Sequence, residues 1–415
     1  LITPSLREME HVASEMERRS FDIPLLIGGA TTSEIHTSVK LAPLYSGPVI
    51  YVVDASRSAT VLASLRSDKK EEFLASLYDR YAAMRKLHED KNRTRTLLSI
   101  SDARKNKLKT DWEKLDITGP KELGRTILRN IDIREIAHYI DWTSYFAEWG
   151  IKGKFPKVFN DREKGEEAEK LYYDTLEFIE KAARENLYRN GVVFGLYGAN
   201  RVNDDDVEIT DENGTNLATF NFLREQSPKE KGKPNLCLAD YIAPASSGKK
   251  DYMGLFTVSV EAVPEKVAML GNDDYTALMI KLLSNQLAEA ATEYMHERIR
   301  KEYWGYAKRE KLTVEELLDG KYRGIRSAPG YPASPDHTEK AAIFALLKTT
   351  ESIGTELTEN YAMKPLSSVC GYIFAHPGSK YFRIGRIGTD QLEDYAKRKK
   401  ITPEEASHWL SQNIE

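Results

Sequence analysis

At 415 residues the chain is long enough for two or three domains, given a usual domain size of about 150 residues. Its 60 basic and 64 acidic residues give a formal net charge of -4, which excludes a general electrostatic attraction to nucleic acid or anionic lipid. Two cysteines, Cys237 and Cys370, are too few for a disulfide framework and favour a reducing compartment. No apolar run approaches the roughly 20 residues of a membrane span and no signal-peptide pattern is present, so we expect a cytoplasmic protein.

The first part of the chain, residues 1–66, alternates between helical and strand patterns. A helical spacing of apolar residues up to Arg19 is followed by a continuous apolar run at 23–27, which is typical of a buried parallel strand. A second such run at 48–53 and a helix from Arg57 continue the rhythm. This order predicts the last part of a doubly wound α/β sheet, and we expect the chain to start inside that domain.

A capping-box pattern and a glycine pair follow the first predicted strand. Thr31 and Glu34 have the spacing that opens a helix, and Gly28 and Gly29 lie just before it. The carboxyl end of a strand in an open α/β sheet is where ligands bind, although a plain tight turn is the commoner explanation of two glycines. The third glycine of a dinucleotide-binding fingerprint is missing.

A charge-rich segment follows, and it separates two kinds of pattern. Residues 67–95 predict a linker helix, with apolar residues at helical spacing within 69–91, and the charged stretch to about residue 125 reads as a solvated linker. The remaining chain mixes long helices with antiparallel hairpins. We therefore expect three regions: 1–66, the linker helix 67–95, and a larger α+β domain over 96–415 that includes the charged linker at its start.

Within the larger domain, residues 275–309 predict a long amphipathic helix. Segments 368–375 and 380–387 predict two strands of a hairpin around the turn at 376–378. The apolar face expected for the long helix consists of Leu278, Met279, Leu282, Leu283 and Leu287.

Two other patterns in this domain suggest metal sites but have simpler explanations. Three aspartates at 204–206 precede a strand and an Asn-Gly turn, so they are expected at a hairpin. His296 begins a pattern like that of a zinc-protease helix, but Arg300 stands where the second histidine is required.

The most informative segment is residues 326–332, with the sequence RSAPGYP. Its two prolines restrict the backbone, while Gly330 lacks the Cβ that would keep a ligand away from the main chain. Arg326 supplies a forked pair of donors suited to a carboxylate. The segment predicts a rigid cradle for a small zwitterion, although a surface turn with a solvated arginine is the commoner explanation of such a pattern.

This segment resembles the Arg-x-x-x-Gly-Tyr-Pro motif of the activation domain of cobalamin-dependent methionine synthase. The resemblance continues over almost the whole chain in the order of that family. It is carried by residues 139–143 (YIDWT), 287–290 (LAEA), 296–298 (HER), 303–306 (YWGY) and 379–381 (SKY), and upstream by 23–33 and 45–48.

The resemblance implies binding of S-adenosylmethionine, which carries a carboxylate, an ammonium and a sulfonium. Arg326 is then expected to bind the carboxylate, and Asp141 and Glu289 to balance the positive groups. From the residues alone, Glu289 shares a helix face with Leu282, so a buried ion pair is equally consistent with its position. Asp141 is equally suited to capping a helix.

The resemblance also places Ser327, Gly330, Tyr381 and Phe382 in the S-adenosylmethionine pocket. A tyrosine in a predicted strand is more often a core residue, so the assignment of Tyr381 rests on the family. The family often has a second tyrosine where this chain has Phe382, which cannot donate a hydroxyl hydrogen bond. Tyr331 is implied to face the upper side of the corrin during methyl transfer.

For cobalamin, the resemblance makes residues 1–66 the C-terminal part of a Rossmann-like cobalamin-binding domain. Thr3, Gly28, Gly29 and Ala55 are then expected to contact the nucleotide tail. The family's Asp-x-His-x-x-Gly motif, which supplies the lower cobalt ligand, does not occur in the chain, so we expect only a partial cobalamin site. The homocysteine, folate and zinc modules are expected upstream in the same polypeptide.

The implied function is the reductive re-methylation of inactive cob(II)alamin by a cobalamin-dependent methyltransferase, methionine synthase. The resemblance implies a flavodoxin-type electron donor as partner, with no nucleic acid and no membrane. A stand-alone S-adenosylmethionine sensor without catalysis is the main alternative. A dehydrogenase is a second alternative, which the missing third glycine disfavours.

Overall fold

The computed structural model describes residues 3–28, 32–53, 57–93, 97–270 and 273–414. The chain divides into two compact units, Leu1–Leu97 and Leu98–Glu415. No helix in the described ranges is long and apolar enough to cross a membrane. Nor do these ranges contain a group of three or more His, Cys, Asp or Glu side chains that could hold a metal ion.

The first unit contains two parallel strands, β1 (Leu25–Gly28) and β2 (Val49–Val52), paired in register from Leu25 with Val49 to Gly28 with Val52. Its helices are α1 (Thr3–Arg18), α2 (Glu34–His36), α3 (Ser58–Arg66) and α4 (Lys70–Arg93). A π-helical turn at Thr37–Leu41 and a 3₁₀ turn at Ala42–Leu44 extend α2.

Helices cover both faces of this strand pair. Val49 packs in a cluster with Ala13 of α1, whereas the next residue, Ile50, packs in a second cluster with Leu77 and Tyr81 of α4. Successive side chains of a strand point to opposite faces, so this alternation shows one helical layer on each side. The α/β arrangement predicted for this region is therefore present in the strand pair and its helices.

The start of α2 differs in detail from the capping box predicted from Thr31. Ser33 is the N-cap, and its side chain accepts a hydrogen bond from the backbone N–H of His36. Thr31 lies outside the described residues. The helix nevertheless begins at Glu34, where the pattern predicted it, because serine is a good cap in its own right.

The second unit is built on an antiparallel sheet whose described part has seven strands. These strands are β3 (Gly124–Arg129), β4 (Tyr188–Arg201), β5 (Asp206–Thr210), β6 (Asn216–Asn221), β7 (Asp251–Ala262), β8 (Ile325–Ser327) and β11 (Ser368–Phe374). Six of them follow the order β6-β5-β4-β7-β11-β8, and β3 pairs with residues 191–196 of β4. Two short strands, β9 (Glu356–Leu357) and β10 (Met363–Lys364), form a separate ladder.

Helices lie on both faces of this sheet. They are α5 (Ile100–Lys105), α6 (Ile133–Ala137), α7 (Trp142–Glu148), α8 (Gly165–Glu185), α9 (Pro264–Val267), α10 (Asp274–Arg298), α11 (Val314–Leu318), α12 (Lys340–Leu347), α13 (Thr349–Ile353), α14 (Thr389–Lys399) and α15 (Pro403–Leu410). Along β4, Val192 packs in the cluster that contains Leu287 of α10, and Val193 in the cluster that contains Ile343 of α12. The predicted α+β domain, with antiparallel strands and long helices, is confirmed.

The long helix predicted over 275–309 is shorter than expected. α10 ends at Arg298 and is followed by a π-helical turn, Ile299–Tyr303, before Gly305 takes a φ of +80°. Its predicted apolar face is also only partly correct, since Met279, Leu283 and Leu287 are buried whereas Leu278 is 44% exposed.

The strand predicted over 380–387 is wrong. This segment is irregular, because the position beside β11 that it would occupy is taken by β8, which pairs Arg326 with Ile373. The segment instead passes near the loop after β8, where the backbone N–H of Ile384 donates to Pro332 O at 2.9 Å.

A buried ion cluster stabilises the part of the sheet around β5. Arg224 is fully buried and donates from Nε to Asp205 Oδ1 at 2.8 Å and from Nη1 to Asp240 Oδ2 at 2.7 Å. We expect Arg224→Met to lower the free energy of unfolding by about 3–5 kcal/mol, because each of the two buried carboxylates loses one of its two arginine partners. The control is Lys114→Met, since Lys114 pairs with Asp111 at an exposed site. In urea unfolding the control should match the native chain, and an equally stable Arg224→Met variant would contradict the prediction.

Candidate functional site

The candidate site is organised around Arg326 in β8, at one edge of the sheet. The neighbouring residues of the strand, Ile325 and Ser327, are buried, whereas the side chain of Arg326 is 17% exposed. Because successive side chains of a strand point to opposite faces, the Arg326 side chain points away from the core that its two neighbours enter. A charged donor thus reaches the surface from a fixed element of the sheet.

Three side chains hold the guanidinium of Arg326. Nη2 donates to Glu293 Oε1, and Nη1 donates to the Tyr322 hydroxyl at 3.0 Å and lies 3.4 Å from His296 Nδ1. Burial disfavours the charge, but the Glu293 carboxylate outweighs it, so the pKa of Arg326 is raised. No described hydrogen bond uses Nε, and this leaves the cation with a donor for a ligand.

Glu293 and His296 belong to α10 and lie on the same side of it. His296 is fully buried, and burial together with Arg300 and Arg326 lowers its pKa well below the ordinary value. The ring is therefore neutral, and because Nδ1 faces a donor from Arg326, its proton lies on Nε2. His296 Nε2 and Glu293 Oε2 are buried and have no hydrogen-bond partner among the described residues.

Two tyrosines connect Arg326 to the segment after β11. The Tyr381 hydroxyl accepts a hydrogen bond from the backbone N–H of Arg326 at 3.3 Å and lies 2.7 Å from the Tyr322 hydroxyl. Burial raises the pKa of Tyr322, so its phenol stays neutral. Tyr381 itself is 52% exposed, and it is a surface contact of Arg326 and not a core residue.

The turn after β8 has the geometry that its sequence predicts. Gly330 has a φ of +93°, and its backbone N–H donates to Ser334 O at 2.7 Å. A Cβ at Gly330 would lie 2.2 Å from Cε1 of the buried His337 ring. Both the backbone angle and the close approach of His337 therefore require glycine.

Tyr331, the next residue in the turn, is 55% exposed. Partial removal of water raises the pKa of its phenol, and the nearby Glu289 carboxylate adds to that effect. Tyr331 therefore presents a neutral hydroxyl to solvent within electrostatic range of Glu289 and Arg326.

Glu289 is exposed and lines a small cavity of about 230 Å³ together with residues 366–369. Its carboxyl lies in this concave surface, so removal of water raises its pKa, and Glu293 and Glu148 add to the effect while Arg326 opposes it. The sequence allowed a buried ion pair at this position. The structure assigns that role to Glu293, one helical turn further along α10.

Asp141 occupies a different place. Its carboxylate caps α7 by accepting hydrogen bonds from the backbone N–H groups of Thr143 at 3.0 Å and Ser144 at 3.2 Å. It also lines a separate cavity of about 1230 Å³, beside Trp142. No described contact joins Asp141 to the Arg326 cluster, so its role in ligand binding stays a prediction.

The two other residues assigned to the pocket are less exposed than Tyr381, and their roles in ligand binding stay predictions. Ser327 is 5% exposed and pairs with Tyr372 of β11, so only its main chain is near the turn. Phe382 is half-buried and packs between two hydrophobic clusters, with its ring 6.4 Å from that of Tyr241. The Phe382 ring therefore packs against the two clusters, whereas Tyr381 before it is exposed.

Of the residues assigned to the cobalamin tail, the structure describes Gly28 fully. It ends β1, at the carboxyl edge of the parallel pair, and a Cβ there would lie 3.1 Å from Val52 O. Thr3 opens α1, and its side chain is not described; Gly29 and Ala55 lie outside the described residues.

The sequence did not predict that Glu293, Tyr322 and His296 are partners of Arg326. A helical signal for two of them was available, because Glu293 and His296 follow Glu289 by four and seven residues and so share its side of α10. Tyr322 carried no comparable signal.

The fold and the cluster together define an α+β domain with a candidate site for a small charged ligand. The family model for the activation domain of vitamin B12 dependent methionine synthase matches residues 132–400, and the chain belongs to this family. A solved structure described as the MetH reactivation domain bound to AdoHcy is similar to the chain, with 42% sequence identity and a TM-score of 0.73. The match covers 77% of this chain and 98% of that one.

The contact between Gly330 and His337 leads to a test with a matched control. Gly214 also has a positive φ, +82°, but nothing lies within 4 Å of its Cβ position. We expect Gly214→Ala to cost only the backbone strain of about 1–2 kcal/mol, and Gly330→Ala to cost clearly more. Adding His337→Ala should recover part of the loss at Gly330. Equal losses in urea unfolding for the two single variants would contradict the close contact.

Proposed function

We propose that this chain binds S-adenosylmethionine on the surface formed by Arg326, Glu289, the turn at Gly330 and Tyr331, and Tyr381. The observation that carries this proposal is the position of the Arg326 cation. The edge strand and Glu293 hold it beside the turn at Gly330. A similar protein, of the same family, is described as bound to AdoHcy, the demethylated form of this compound.

In this proposal the carboxylate and the ammonium of the ligand each have a partner of opposite charge. The Arg326 guanidinium donates to the ligand carboxylate, and the Glu289 carboxylate accepts from the ammonium. The positive φ of Gly330 and the His337 ring packed at its missing Cβ fix the turn beside Arg326. Asp141, Ser327 and Phe382 stay outside this minimal set, because the structure gives them capping, strand-pairing and core contacts instead.

We further propose that the bound ligand re-methylates inactive cob(II)alamin, as part of a methionine synthase. Cobalamin, when bound and reduced by a flavodoxin-type donor, supplies the nucleophile for the sulfonium methyl. The chain's own residues then position the sulfonium and exclude water, and no general base is needed. Tyr331 would border the transferring methyl with a phenol that its raised pKa keeps neutral.

For residues 1–66 we propose the C-terminal part of a Rossmann-like cobalamin-binding domain. The parallel strand pair with a helical layer on each face supports this, as does the glycine at its carboxyl edge, where the close Val52 O leaves little room for a side chain. Gly28 would border the nucleotide tail of the cofactor. The same proposal includes the remaining part of the cobalamin site, a zinc-binding module and a cytoplasmic location for the protein.

Arg326→Met should weaken S-adenosylmethionine binding at least ~30-fold in isothermal titration calorimetry, since a charged partner of the ligand carboxylate is lost. The same change leaves Glu293 unpaired, so the fold must be controlled. The double variant Arg326→Met with Glu293→Gln removes both charges and should recover stability without recovering binding. Arg323→Met, at an arginine that donates to Ala375 O, should bind normally. Normal binding by the double variant would refute the contact.

The raised pKa of Glu289 predicts a pH dependence of binding. The ligand ammonium favours the ionised carboxylate, so affinity should be highest above this pKa and fall as the pH is lowered through it. Glu289→Gln should bind more weakly at high pH and lose this dependence. The control Glu208→Gln, on β5 away from β8, should keep it. An unchanged profile in Glu289→Gln would remove Glu289 from the site.

A further inference from the structure

The Arg326 cluster carries one more negative charge than positive charge. Glu289 and Glu293 lie one turn apart on α10, and Arg326 is their shared cation. His296 does not add a positive charge, because burial lowers its pKa and keeps it neutral. Arg300 beside it is paired with Glu310 and contributes no net charge. The two carboxylates and Arg326 together carry one net negative charge, and Glu148, which lines the same cavity as Glu289, adds a second.

Half of the Glu293 carboxylate has no partner. Oε1 accepts from Arg326, while the buried Oε2 has no hydrogen-bond partner among the described residues, and Glu293 as a whole is 5% exposed. A buried carboxylate oxygen without a partner is costly in free energy. This cost indicates that a positively charged group joins Glu293 when the site is filled.

S-adenosylmethionine and its product differ by one charge at a short distance from the amino-acid group. The sulfonium is separated from the α-carbon by two methylene groups. Transfer of the methyl breaks one S–C bond, whose electron pair stays on sulfur, while the acceptor nucleophile supplies both electrons of the new bond. The product is therefore a neutral thioether with the same carboxylate and ammonium.

The charges come closest to balance with the sulfonium. With S-adenosylmethionine bound, Arg326, the ammonium and the sulfonium face the ligand carboxylate, Glu289, Glu293 and the nearby Glu148, which leaves one negative charge. With the thioether bound, a second carboxylate loses its counter-charge. In a partly buried site such an imbalance is only weakly screened.

We propose that Glu293 is a specificity-determining residue that makes the site prefer the sulfonium substrate to the thioether product. The inference rests on the proposed S-adenosylmethionine binding and extends it. Glu293 positions Arg326 through Oε1 and at the same time supplies the negative charge that only the sulfonium balances. Loss of that balance after methyl transfer then favours release of the product.

The test compares the Kd of S-adenosylmethionine with that of S-adenosylhomocysteine by calorimetry in the full chain. Glu293→Gln should reduce the preference for the sulfonium compound about tenfold, because substrate binding weakens while product binding is unchanged or tighter. Glu293→Asp keeps the charge and should keep the direction of the preference. The opposite response of the two ligands to Glu293→Gln separates a charge effect from damage to the fold.

Glu297→Gln is the matched control, one turn further along α10. Its carboxylate is held by the Tyr139 hydroxyl at 2.6 Å and by Lys301 at 3.1 Å, without contact to Arg326. The preference should be unchanged in this variant. If Glu293→Gln weakens both ligands equally, Glu293 only supports Arg326 and the inference is overturned, while the proposed function stands. Failure of the native chain to bind either ligand would overturn both.

Discussion

The ion pair between Arg326 and Glu293 is the interaction on which the candidate site depends. It joins the edge strand β8 to helix α10, which covers one face of the sheet. A largely buried guanidinium needs a counter-charge, and Glu293 supplies it from a fixed helical position. The ion pair uses Nη2 of Arg326 and leaves Nε without a described partner. The contact that keeps the cation charged therefore still leaves it a donor for a ligand.

The sheet gives this ion pair its rigidity. β8 contributes only three residues, but it pairs with β11, which in turn pairs with the long central strand β7. The turn that follows is fixed by the positive φ of Gly330 and by the buried His337 ring beneath it. Tyr322 and Tyr331 have raised pKa values, so their hydroxyls beside the cation are neutral donors and acceptors. Such a surface is suited to holding a charged ligand in place.

The sequence predictions failed where two segments compete for one place. Residues 380–387 have the apolar pattern of a strand, yet β8 occupies the position beside β11, because the register of Arg326 with Ile373 is already satisfied there. The same arrangement separates Tyr381 from Phe382, so that one ring reaches the surface cluster and the other packs against the hydrophobic clusters. The end of α10 was also missed, since the residues after Arg298 keep a helical composition up to the turn at Gly305.

The amino-acid sequence by itself determined the features that depend on near neighbours. These include the glycine turn at 330 and the α/β and α+β patterns of the two regions. It also pointed to Arg326 and Glu289 through the resemblance of their motifs to one family. Only the tertiary structure decided that Glu293 is the ion-pair partner of Arg326 and that Asp141 caps α7 away from the cluster. Contacts between residues distant in the chain depend on which strand takes the sheet edge, and no local pattern specifies that choice.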